Sequence, residues 1–253
     1  MKSFSLPNFA AMLAYEQKVM HELRLWQQKM LRKPGYFNKL SKALQDKLNS
    51  WIPEKVHKAI TETIKQMIRG VLFGARWTTG KKATAGLEET DQTAENKIKF
   101  YQTTAATEGA ITGAGGILLG LADFPLLIAI KIKLLFEIAS IYGHSVTDYR
   151  ERVFLLHIFQ LAFSSAKHRR NVFLSMQNWK DTSIHLPEDI HQFDWRSFQQ
   201  EYRDYIDLAK LAQLVPVIGA PVGAVVNYRL IKKLGRTAIQ CYHMRWAETH
   251  VPL

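Results

Sequence analysis

Cysteine is nearly absent: Cys241 stands alone among 253 residues. One thiol can form no internal disulfide and cannot build a cysteine zinc site, so a reducing, cytoplasmic setting is expected. Long uncharged runs are scarce as well. Residues 211–228 carry no formal charge over 18 positions, about the lower limit for a spanning helix, but Gln213, Pro216, Pro221 and Asn227 argue against a span. The comparable run 109–130 is interrupted by Asp123 and Pro125. Near the amino terminus Pro7 and Glu16 break up the short apolar stretch, so no secretory signal is expected. Acidic residues are under-represented, 22 against 34 Lys and Arg, and the net charge of +12 favours anionic partners. Metal and nucleotide motifs are missing too. The nine histidines contain no HExxH, and His185 and His191 lie six apart across Pro187, a poor spacing for two ligands on one helix. Residues 74–82 fail the P-loop pattern, since Lys82 stands where a Ser or Thr should bind magnesium. Gly113, Gly115 and Gly116 miss the dinucleotide spacing, and no strand pattern precedes them. Neither a cofactor nor a metal is expected.

What is present is helix. A hydrophobic content of 47% is ample for a core, and no period-two pattern is long enough for a sheet. Phe9, Met12, Leu13, Val19, Leu23, Trp26 and Met30 recur at helical steps over residues 9–31. Further helices fit 37–49 and 53–71, the latter with Pro53 in its first turn. The Gly/Thr/Lys-rich stretch 74–89 reads as a linker. A helix resumes near Thr90 and breaks at Asp123 and Pro125, where Asp123 is placed to cap a restart that ends at Gly143. Helices are then expected over about 146–166 and 171–180, a loop over 181–193, a helix over 194–214 and a last one ending near Trp246. The chain thus divides into an amino-terminal amphipathic helical layer (1–73), a linker (74–89) and a glycine-rich helical core (90–253), the first and last expected to form one globular unit. The fold class is all-α: a multi-helix bundle in which two glycine-stripe apolar segments, about 105–142 and 208–246, pack together.

The stripes are explicit. Ala105, Gly109, Gly113, Gly116 and Gly120 recur at +4, +4, +3 and +4, and Ala212, Pro216, Gly219 and Gly223 at +4, +3 and +4, which places each set on one helical face. A glycine inside a helix costs roughly 1 kcal/mol relative to alanine, a cost that close helix approach would offset. Arg229, Lys232, Lys233 and Arg236 follow the second stripe as a basic face without an acidic residue among them, suited to anionic lipid. Glu108, Asp123 and Glu137 are carboxylates set in apolar sequence and are the only acid/base candidates. Their structural counterparts are a cap for Asp123 and an i, i−4 pair with Lys133 for Glu137. Cys241 reads as a structural thiol. The KHRR run at 167–170 has no nucleic-acid motif around it, so no specific nucleic-acid partner is expected.

Residues 107–143 (TEGAITGAGGILLGLADFPLLIAIKIKLLFEIASIYG) and 215–228 (VPVIGAPVGAVVNY) resemble the bacterial EcsC family. The likeness extends to ELRLWQQKM at 22–30 and IPEKVHKAI at 52–60, which resemble its Bacillus-type members, and so covers roughly residues 15–246. A fainter likeness, over the glycine segments alone, is to helical domains of membrane-linked GTPase-associated proteins. The resemblance implies a protein often encoded with the Ecs ABC transporter and supplies no catalytic set. The expected function is a non-enzymatic cytoplasmic accessory or scaffold held peripherally on the inner face of the membrane. The alternatives are an enzyme using the buried carboxylates and a non-specific nucleic-acid binder.

Overall fold

The computed structural model describes residues 6–32, 62, 66, 70–71, 86–114, 124–164, 166–186, 192 and 219–250. Among these the chain is helical, with no strand. In chain order the helices are α1 (Leu6–Leu31), α2 (Leu87–Ala114), α3 (Phe124–Ile141), α4 (Tyr149–Phe163), α5 (Ala166–Met176), α6 (Trp179–Ile184) and α7 (Gly219–His250). The helices expected over 37–49 and 194–214 lie outside the described residues; of the one expected over 53–71, the four described residues are helical.

The organising contact is between α2 and α7, which lie along one another over most of their length. They run antiparallel: Asp91 meets His243, Glu95 meets Arg236, Ile98 meets Gly235 and Gln102 meets the carbonyl of Tyr228. The inward residues follow the helical period, Ala94, Ile98, Tyr101 and Ala105 on α2 and Ile231, Leu234, Ala238 and Tyr242 on α7. The helices pack tightly at Gly235, where an added Cβ would lie 2.4 Å from Ile98 Cγ1. A residue without a side chain here leaves room for the Ile98 side chain against the α7 backbone.

α3 lies against both of these helices. From Leu127 to Ile141 every residue is buried except Ala129 and Lys133, as expected of a helix apolar on nearly all sides. It ends as the sequence predicts, at Gly143, whose φ of 82° is the left-handed conformation. Gly143 N–H donates to Ser140 O and His144 N–H to Ala139 O, the paired bonds of a Schellman cap. Asp148 caps α4 by accepting from the Arg150 backbone N–H at 2.9 Å. α4 fills the remaining side of the core with Phe154 and Phe159. α1 packs on α2, α5 and α7, burying Val19, Leu23 and Met30, while Leu13, expected inward, is 42% exposed. Leu23 and Met30 join the same apolar cluster as α2, α3, α4 and α7.

Several boundaries differ from expectation. α2 begins at Leu87, inside the expected linker, and α7 continues past Trp246 to His250. The helix expected over 171–180 is two, α5 and α6, and the second occupies the first four residues of the expected loop. Burial of Trp179 against Phe154, centroids 5.0 Å apart, pins this short helix despite its weak local pattern.

Candidate functional site

At one end of the bundle a buried carboxylate gathers four elements. Asp91, in the first turns of α2, accepts from the Tyr15 hydroxyl of α1 at 2.7 Å, from the Tyr142 hydroxyl just past α3, and from His243 Nε2 of α7 at 2.8 and 3.0 Å to its two oxygens. This geometry puts a proton on Nε2, while His243 Nδ1 is buried without a hydrogen-bond partner. Desolvation comes first and the neighbouring Asp91 second in raising the Tyr15 phenol pKa well above its ordinary value. The Tyr142 phenol is raised by the same two influences.

A second cluster lies beside it. Glu151 of α4 accepts from Tyr242 Oη at 2.6 Å and from Arg245 Nη1 at 2.6 Å, with His144 Nδ1 3.8 Å away. Arg245 also lies over the Phe154 ring, 4.8 Å from its centroid. The two clusters touch through stacked rings: Tyr242 has Tyr142 at 5.0 Å and His144 at 5.1 Å, both near parallel. Burial, then the Glu151 charge, raises the Tyr242 phenol. A cleft of about 480 Å³ opens over this stack, walled by Tyr142, His144, Trp179, Tyr242, Arg245 and Trp246. At its rim desolvation raises the pKa of Glu248, against the opposing pull of Arg245.

Of the carboxylates singled out from sequence, Glu137 is buried on α3 and accepts from Tyr101 Oη at 2.6 Å. Its ion pair is with Lys97 of α2 at 2.9 Å. The expected partner Lys133 is exposed to solvent instead. Glu108 is half-buried on α2, two turns beyond Tyr101, so roughly 10 Å along the helix from the Glu137 contact. Asp123 lies outside the described residues, as do Gly116, Gly120, Ala212 and Pro216. Ala105 is fully buried and Gly109 buried; Gly113, Gly219 and Gly223 lie within helices α2 and α7. Cys241 is completely buried, and desolvation raises its thiol pKa.

The basic face of α7 is exposed at Arg229, Lys232, Lys233 and Arg236. It is not free of acids in space, since Glu95 of α2 stands 3.5 Å from Arg236 Nε. Toward the start of the same helix Val225 and Tyr228 are 47% and 43% exposed. Among the described residues no helix is long and apolar enough to cross a membrane, and no group of His, Cys, Asp and Glu could hold a metal.

Sequence reasoning missed both polar clusters. The available signal was phase: Asp91 falls on the same face as Ala94, Ile98 and Ala105, and His243 stands one and two turns beyond the buried Ile239 and Gly235. A polar residue in the phase of a buried stripe must find a buried partner.

The chain matches the model of the EcsC protein family over residues 17–247. It is similar to Protein EcsC of Bacillus subtilis (strain 168), 47% identical over 231 residues that cover 90% of this chain and 95% of that protein. It is also similar to the uncharacterized protein YdbA of the same strain, 26% identical over 245 residues, 88% of this chain and 90% of the other. No solved structure matches it.

Proposed function

The chain belongs to the EcsC protein family, and we propose that it is a non-enzymatic accessory or scaffold that sits on the cytoplasmic face of the membrane and serves an ABC transporter. The transporter partnership rests on the family resemblance. The membrane contact rests on one observation: an exposed apolar end of the bundle bordered by cations. Val225, Arg229, Lys232 and Arg236 follow one another at +4, +3 and +4 along the exposed side of α7. Ile111 of α2 is 60% exposed and Leu126 of α3 45%, and the antiparallel courses of these helices bring both toward the same end as Val225 and Tyr228.

Half-exposed side chains of this size would each contribute about 1 kcal/mol on burial in a headgroup layer, and Arg229 and Lys232 about 1 kcal/mol each against anionic lipid. A gross gain on the order of 5 kcal/mol supports reversible attachment in the interface rather than a span. The clustered carboxylates support the non-enzymatic part. Glu137 is engaged by Tyr101 and Lys97, and Glu151 by Tyr242 and Arg245, pairings that hold helices together.

The glycine stripes belong to the same scaffold. Stepped along both helices from the contact of Ile98 with Gly235, the antiparallel course of α2 and α7 supports a pairing of Gly109 near Gly223 and of Gly113 near Gly219, with small residues facing one another along the apolar end. Fractionation of cells tests the membrane reading: recovery with membranes at low salt and release by a high-salt wash is the expected result. Recovery in the soluble fraction alone at low salt would sink it.

A further inference from the structure

The cleft over the ring stack takes no part in the membrane contact. Its volume of about 480 Å³ falls within the roughly 300–1,000 Å³ of small-ligand sites. Trp246 on its wall lies roughly 30 Å along α7 from Val225, at 1.5 Å per residue, so a ligand held here is independent of that contact.

The inner side of the cleft shows how these walls hold a cation. Arg245 lies over two rings, its Cζ 4.8 Å from the Phe154 centroid and 6.0 Å from that of Tyr242, and its Nη1 donates to Glu151 at 2.6 Å. The ring faces attract positive charge, and the carboxylate supplies a charge-assisted hydrogen bond. The outer side repeats both components. Trp179 and Trp246 line it, with His250 stacked on Trp246 at 5.0 Å and 14°. Glu248, also on the wall, follows Arg245 by three residues, on the same side of α7. What differs is the cation. Among the described residues Glu248 makes no hydrogen bond and no ion pair, and desolvation, joined by the charge of Asp181, raises its pKa in spite of Arg245 and Lys180. Lys180 and Arg150 stand on the same wall but are exposed to water.

We propose that the outer side of the cleft binds a guanidinium group, with Glu248 as its hydrogen-bond acceptor and Trp246 and Trp179 as its stacking walls. A guanidinium suits the site better than an ammonium, because its flat, weakly hydrated fork both stacks on rings and donates twice to one carboxylate. An anion is disfavoured, since it would meet the negative ring faces and the Glu248 charge. The group arrives either as a free guanidino compound or as the arginine side chain of a polypeptide.

The test titrates the full chain with methylguanidine, N-acetyl-arginine amide and N-acetyl-lysine amide by calorimetry, with tryptophan fluorescence as a second readout. Both guanidinium probes should bind, and the lysine probe more weakly. Glu248→Gln, a change at an exposed position, should weaken their binding about tenfold, the loss of a hydrogen bond between charged groups, and Trp246→Leu about threefold. Glu89→Gln, on the exposed first turn of α2, is the control and should bind as the parent does. Tighter binding of the blocked arginine than of methylguanidine identifies a polypeptide as the source, and equal binding identifies a free compound. No binding of either guanidinium probe by the parent chain, or equal affinity in Glu248→Gln, overturns the site. A lysine probe that binds as tightly as the arginine probe overturns the choice of guanidinium.

Discussion

The contact between Gly235 and Ile98 supports a prediction whose sign is opposite to the usual one. Replacing a glycine within an exposed helix by alanine stabilises a protein by about 1 kcal/mol, through helix propensity. At Gly235 the new Cβ would stand 2.4 Å from Ile98 Cγ1 and 2.6 Å from Cδ1, against an ordinary carbon contact of roughly 3.5–4.0 Å. Ile98 is fully buried, and its branched Cβ leaves few rotamers with which to yield. Overpacking of this kind costs about 1–3 kcal/mol. Taking about 2 kcal/mol for the clash and subtracting the propensity gain, Gly235→Ala should destabilise by about 1 kcal/mol, a fall of roughly 2–4 °C in Tm for a chain of this size. Ile98→Ala alone should cost about 2–5 kcal/mol through the cavity it leaves. In the double variant the new methyl enters that cavity, so the pair should be more stable than the sum of the singles by at least about 1 kcal/mol. Urea unfolding followed by circular dichroism on the four proteins measures all these terms. A Gly235→Ala protein as stable as its parent, or strict additivity in the cycle, would show that α2 and α7 are not in such close contact.

Further expectations concern the other features. Asp91→Asn turns an amide donor toward groups that already donate and should cost about 2–4 kcal/mol in thermal unfolding, while Tyr15→Phe should cost about 1 kcal/mol; equal, negligible effects would deny the carboxylate its organising place. Cys241 should resist a thiol reagent in the native protein and react only on unfolding, so rapid labelling of the folded chain would contradict its burial. The phenols of Tyr15, Tyr101, Tyr142 and Tyr242 are all raised above their ordinary value of 10.0. In the folded state they hold protons that the unfolded chain releases above that pH, so their contribution is intact below about pH 10 and declines as pH rises further; stability that stays flat beyond pH 11 would argue against it. Arg229→Gln with Lys232→Gln should weaken binding to anionic vesicles and flatten its dependence on salt, and an unchanged dependence would place the contact elsewhere.

The fold was legible wherever its cause is local. The apolar period of α1, the restart near Pro125 and the stop at Gly143 each depend on residues within a turn or two. α6 was not legible: six residues give too short a period, and what holds them is Trp179 reaching Phe154 across the core. The polar clusters escaped for a related reason. Tyr15 and Asp91 are 76 positions apart and Asp91 and His243 are 152 apart, so spacing carries no trace of them. Glu137 shows how a local rule fails, for the i, i−4 neighbour Lys133 was available, yet burial turned the carboxylate toward Lys97 on another helix. The acid of α2 that faces Arg236 was hidden in the same way.

The turn that closes α3 has an effect beyond ending a helix. On either side of Gly143 the chain sends out one ring, Tyr142 toward Asp91 and His144 onto Tyr242, and the left-handed φ of 82° sets the angle between them. That single backbone torsion therefore gears the two carboxylate assemblies together. Neither can be reshaped by displacing this loop while the other keeps its place, and a side chain at position 143 would strain both at once.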